Sequence, residues 1–184
     1  MKMQQAILVA LMSCGLAIGA HAQRAVLPAK AIDPMLTNIE GEFMSAAKAM
    51  PAEKYDFSPK SLAIPSSKFE DVRTFADQVK HVAEANYYFY ESVSGLKPDT
   101  DVKGIGSLKK KDEILSVAAK SFAFAHRAIA TITLENAWLP IKDVDGFNTR
   151  VSIATFGVAH GFDHYGQMVE YLRLNGIVPP ASAK

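Results

Sequence analysis

RVSIATFGVAHGFDHYGQMVEYLRLNG occupies residues 150–176 and sets the reading of the whole chain. Val151, Ala154, Val158, Phe162, Tyr165, Met168 and Leu172 recur at three- and four-residue steps, which predicts an amphipathic helix beginning near Arg150. Gly176, followed by Pro179 and Pro180, ends it. His160 and His164 stand four apart on that helix, so their imidazoles leave the same face with Cβ atoms roughly 6 Å apart.

Three more segments repeat the helical period. Pro34 to Met50 carries Met35, Leu36, Ile39, Phe43, Met44 and Ala47, and Pro51 stops it. Thr74, with Asp77 three residues on, resembles a capping box; Phe75, Val79, Val82, Ala83, Asn86 and Phe89 follow, giving a helix from about Phe75 to Val93 stopped by Gly95. Ser107 is the expected cap of a third helix marked by Ile114, Leu115, Ala118, Phe122, Ala125, Ile129 and Ile132. Four such segments, each needing to bury one stripe, predict an all-α four-helix bundle. Ala52 to Glu70, with Pro59 and Pro65, reads as a long crossover loop, and Pro98 to Gly106 as a linker. Trp138, Pro140 and Asp145-Gly146 between Glu135 and Asn148 predict a short irregular segment or hairpin over the bundle mouth, before the last helix.

Of 184 residues, 49% are hydrophobic and 21% charged, a composition that supports one globular domain. Residues 1–22 read separately as a signal peptide: Lys2, an apolar run from Ala6 to Ala20, and the small-x-small site Ala20-His21-Ala22. The run is shorter than the roughly 20 residues of a membrane span, so a periplasmic or secreted protein is expected, with the bundle in 23–184. A rival reading makes Cys14 the lipidated cysteine of a lipoprotein box. Cleavage after Ala22 removes the only cysteine, excluding disulfides and cysteine nucleophiles from the mature chain. It also removes Lys2, leaving 19 basic against 19 acidic residues; without a basic excess, nucleic acid is not an expected partner.

His81 lies mid-helix between Val79 and Val82 and is the candidate third ligand beside His160 and His164; the competing reading is a hydrogen-bonded core histidine. A zinc protease of the His-Glu-x-x-His type needs a glutamate where this chain has Gly161. A di-iron bundle needs Glu-x-x-His twice, but Gly157 and Gln78 stand three before His160 and His81. Attachment of c-type haem needs the absent cysteines. A mononuclear three-histidine site remains, which leaves positions for water or substrate. Imidazole ligands must be neutral, so affinity is expected to fall near the free histidine pKa of about 6.5. His126 is read as a partly exposed or core residue, and His21 leaves with the signal.

His81-Val82-Ala83-Glu84-Ala85-Asn86 and His160-Gly161-Phe162-Asp163-His164-Tyr165-Gly166-Gln167, continuing through Tyr171-Leu172-Arg173-Leu174-Asn175-Gly176, resemble the DinB-like superfamily. That superfamily includes metal-dependent thiol S-transferases using bacillithiol or mycothiol. The resemblance runs from about Pro34 to Pro180. It implies a metal triad of His81, His160 and His164 holding one divalent ion per chain, zinc or nickel, with water completing the coordination. In the transferase branch it implies a thiol cosubstrate held as thiolate; the alternatives are hydrolysis by metal-activated water and a non-catalytic metal- or ligand-binding bundle, with a homodimer as a further expectation. Tyr165 and Gln167 are then candidate pocket residues, and Asp163 or Glu84 candidates to orient a ligand imidazole.

Overall fold

The computed structural model describes residues 25–183; the expected leader at 1–22 and Cys14 lie outside them. Four α-helices, α1 (Pro28–Ala49), α2 (Phe75–Ser94), α3 (Lys111–Ile129) and α4 (Arg150–Leu174), form the bundle. A small antiparallel hairpin, β1 (Pro140–Val144) and β2 (Phe147–Thr149), runs directly into α4. Among the described residues no helix is long and apolar enough to cross a membrane.

α1 packs on α3 and α4, and α2 packs on the same two, so α1 and α2 stand at opposite corners. The long connection between them therefore crosses one end of the bundle. It is not featureless: short 3₁₀ turns at Ala52–Lys54 and Pro59–Leu62 interrupt it. Tyr55 pins it from below, buried, with its hydroxyl donating to the Ala47 carbonyl at 2.6 Å and its ring edge-on to Phe75. The connection from α3 to α4, which carries the hairpin, also joins helices that are not principal neighbours.

The ends of α2 follow the local chemistry. Thr74 Oγ1 accepts from the Asp77 amide at 3.1 Å, satisfying one of the free N–H groups of the first turn. Gly95 closes the helix at φ 74°, where a side chain would be strained. α4 begins with a reciprocal cap: Thr149 Oγ1 accepts from the Ser152 amide and Ser152 Oγ accepts from the Thr149 amide. The hairpin turns on Asp145 and Gly146, both at positive φ, the requirement of a two-residue turn.

Three expectations are corrected. α1 begins at Pro28, not Pro34, because Ile32 is buried a turn before Leu36 and anchors an earlier start; Pro34 sits inside the helix and removes one hydrogen bond. Ser107 does not cap α3: it ends a 3₁₀ turn over Val102–Ser107, and Lys110 is the residue before the helix. That turn is held by the buried Ile105 and by buried Lys80, whose Nζ donates to the Gly106 carbonyl at 3.0 Å and pairs with Asp77 at 2.9 Å. On α4, Phe162 is exposed and Tyr165 only half-buried, whereas Gly157, Gly161 and His164 belong to the buried face. The buried stripe is rotated from the apolar one because small residues and a histidine fill it.

Candidate metal centre

The two glycines explain how α4 comes close enough for a shared centre. A Cβ on Gly157 would lie 2.8 Å from the hydroxyl of Tyr90 on α2, and one on Gly161 would lie 3.0 Å from Ile39 on α1. The first separation is closer than real Cβ atoms come and the second is tighter than most, so the absence of both side chains lets α4 approach its two neighbours. Tyr90, fully buried, donates to the Ala154 carbonyl at 3.1 Å and fixes the α2–α4 contact.

One turn further along, His160 and His164 meet His81 across that contact. His81 Nε2 and His160 Nε2 are 3.2 Å apart, and His164 Nε2 and His160 Nε2 are also 3.2 Å apart. The three ligand atoms all lie within 4.8 Å of one another, the one such His/Cys/Asp/Glu group among the described residues. Two imidazole nitrogens each about 2.0–2.1 Å from one ion at a tetrahedral angle are roughly 3.3 Å apart, so the donor set fits a single cation. Its type, three imidazoles, suits zinc, nickel, copper or iron.

Electrostatics favour the neutral, lone-pair-bearing form of each ring. Burial pushes the His81 pKa down to about 4, with the Arg73 and His160 charges adding. Burial likewise pushes His164 down to about 3, helped by His160, His81 and Arg73. His160 is also lowered by burial; Asp163 and Asp145 oppose that shift and Arg73 reinforces it. The expected loss of metal near pH 6.5 therefore moves to lower pH.

The rings are held unequally. His164 Nδ1 meets Oε1 of Gln78 at 2.6 Å, and Gln78 is 1% exposed. His160 Nδ1 is buried with no hydrogen-bond partner; its ring is wedged between Phe89 at 5.4 Å and Phe156 at 6.3 Å. Neither Asp163 nor Glu84 bonds a triad imidazole. Asp163 accepts from Gln167, and Glu84 instead lines the cleft described below. Gln78 is the orienting residue that the sequence reading passed over, and its one signal there was an amide inside the apolar stripe of Phe75, Val79 and Val82. Tyr165 and Gln167 do not line the cleft.

His81 and His160 form part of the wall of a cleft of about 440 Å³, open to solvent, while His164 lies buried behind them. Tyr88, Phe89 and Phe156 give it aromatic sides, and Glu84 and Asp145, the latter from the hairpin turn, give it two carboxylates. No lysine or arginine lines it, and neither carboxylate has an ion-pair partner among the described residues. A somewhat larger cleft between α3 and the 102–107 turn contains none of the triad.

His126 is partly exposed, as the sequence predicts, and lies outside the triad. It bridges α3 to Asp33 and Glu40 of α1.

A family model described as the DinB superfamily matches residues 35–168, a span that includes all three histidines, Gln78 and the cleft. No curated protein matches the chain.

Proposed function

The chain belongs to the DinB superfamily, and from that premise we propose that it is an exported protein that binds one zinc or nickel ion at His81, His160 and His164 and catalyses a metal-dependent transfer to or from a small molecule in the adjoining cleft. The observation that carries this reading is the convergence of three Nε2 atoms, two of them on residues lining a solvent-open cleft, His81 and His160, and the third on His164 buried behind them. A structural ion is enclosed by four protein ligands, whereas three leave room for an exchangeable one. When bound, the ion supplies Lewis acidity, lowering the pKa of a thiol or water that reaches it.

The protein's own groups do the rest. Phe89 and Phe156 flank His160 and keep its ring from turning. Tyr88, 53% exposed, offers an aromatic face at the cleft mouth on which a planar or cationic group stacks. Among the described residues Glu84 and Asp145 are the carboxylates lining the cleft, and a divalent ion at the triad would offset their charge.

Glu84, one turn from His81, lines the cleft with no ion-pair partner among the described residues, which favours a second reading with its carboxylate as general base for hydrolysis of an amide or ester.

Elemental analysis of the purified mature protein is expected to give about one equivalent of metal. Assay of that protein with thiols and electrophiles is expected to give turnover that stops on chelation and returns with zinc or nickel. Turnover of amides or esters alone, lost in Glu84→Gln, would select hydrolysis, and no turnover with either group would leave a binding protein. Export through residues 1–22 is tested by N-terminal sequencing of protein recovered from a bacterial periplasm. A start at Gln23 supports it, and a start at Met1 rejects it.

A further inference from the structure

From His164 a chain of polar side chains leads out to the surface. Gln78 Nε2 donates to Gln167 Oε1 at 2.8 Å, and Gln167 Nε2 donates to Asp163 Oδ2 at 3.2 Å. Asp163 is exposed, Gln167 half-buried and Gln78 buried, so the chain runs from water into the core. The two glutamines occupy matching places: Gln78 is three residues before His81 on α2, and Gln167 three after His164 on α4. Each therefore shares a helix face with a triad histidine.

An ionised carboxylate only accepts hydrogen bonds, whereas a carboxamide donates at one end and accepts at the other. Asp163 thus forces Gln167 to turn its NH₂ outward and its carbonyl oxygen inward. Gln78 must then donate to that oxygen and turn its own Oε1 toward His164. The 2.6 Å contact with Oε1 requires a proton on His164 Nδ1. The neutral ring then carries its lone pair on Nε2, the atom 3.2 Å from His160 Nε2. Reversing either amide would set two acceptors or two donors against each other, and the Tyr171 hydroxyl beside Gln78 already donates to the Arg73 carbonyl at 2.9 Å.

We propose that Asp163, acting through Gln167 and Gln78, fixes the tautomer of buried His164, so that its Nε2 is a ready electron-pair donor. Gln78 and Gln167 are positioning residues of the centre. The consequence for the ion rests on the metal-binding reading above; the consequence for the tautomer does not.

The two are tested separately. In metal-free wild-type protein at neutral pH, nitrogen-15 NMR of the histidine rings is expected to show His164 protonated at Nδ1 and bare at Nε2. Gln78→Met keeps the length of the side chain and removes the acceptor. It is expected to shift His164 toward the Nε2–H tautomer and to weaken zinc binding about 10- to 100-fold in chelator competition. Gln78→Glu retains an acceptor and is expected to recover most of that affinity. Should Gln78→Met fail to fold, Gln167→Met, at a half-buried position, is expected to give a mixture of tautomers and a smaller loss of affinity. A wild-type His164 protonated at Nε2, or a folded Gln78→Met or Gln167→Met protein with unchanged tautomer and zinc affinity, would overturn the proposal. A wild-type protein with the expected tautomer but no zinc affinity would remove the metal reading and leave the relay standing.

Discussion

Nδ1 of His126 on α3 lies 2.6 Å from Oδ1 of Asp33 on α1, while its Nε2 lies 3.0 Å from Oε2 of Glu40 about two turns further along the same helix. Both partners are acceptors when ionised, so the ring makes both hydrogen bonds only as imidazolium. Burial alone would lower the His126 pKa; the bonds and charges of Asp33 and Glu40 override it and hold the pKa above its ordinary value.

Because the folded pKa is raised, this clamp stabilises the fold fully below the ordinary histidine pKa of about 6.5 and loses its effect as pH climbs through the raised value. His126→Gln is expected to cost about 1 kcal/mol at about pH 6, the carboxylates being partly exposed. The deficit should shrink at alkaline pH. Urea denaturation of both proteins across that range measures it, and a deficit that grows with pH would refute the assignment.

The glycines of α4 divide into two kinds. Gly157→Ala places a methyl group against the Tyr90 hydroxyl and is expected to destabilise by about 1–3 kcal/mol and to weaken metal binding by separating α2 from α4. Gly166→Ala meets nothing within 4 Å and is expected to stabilise by roughly 0.5–1 kcal/mol through backbone entropy alone. Denaturant midpoints of the two variants should therefore move in opposite directions.

Single alanine variants at His81, His160 and His164 are each expected to abolish the one equivalent of bound metal that elemental analysis is expected to find in the wild-type protein. They should differ without metal. His164→Ala leaves the buried Gln78 carbonyl without its donor and should cost about 1–3 kcal/mol more than His81→Ala, whose ring borders the cleft. Equal thermal stability of the two metal-free variants would contradict the bond to Gln78.

Metal retention in acid follows from the depressed pKa values. His81 at about 4 and His164 at about 3 stay neutral well below the range of free histidine, so half-loss of metal is expected well below pH 6.5. In the metal-free protein the same depression carries the opposite sign to His126: stability present above about pH 6.5 is lost as pH falls toward those values. Release of metal centred near pH 6.5 would show that the rings are more hydrated than the packing allows.

Sequence was most informative where local chemistry alone decides the structure. Thr74 with Asp77 and Gly95 bound α2, the Asp145-Gly146 pair makes the hairpin, and the i,i+4 spacing of His160 and His164 brings their rings to one face. It misled where tertiary contacts override local signals. Ser107 is a good cap by type, but the anchoring of Ile105 and Lys80 commits it to a tighter turn. Phe162 continues the apolar period yet faces outward, because Gly157 and Gly161 on the adjacent face allow closer packing than any large side chain would. The contact from Gln78 to His164 spans 86 residues and has no local signature.

The separation of the triad along the chain bears on how the protein reaches its native state. His81 stands 79 residues from His160, so an unfolded polypeptide offers a cation only the nearby pair His160 and His164. Full affinity would exist only once α2 and α4 have docked, which would make the ion a ligand of the native form and couple its chemical potential to the folding equilibrium. Free metal at a hundred times its dissociation constant would add about 2.7 kcal/mol to the stability of the fold. Scarcity of metal would then lower the abundance of folded protein as well as the occupancy of its site.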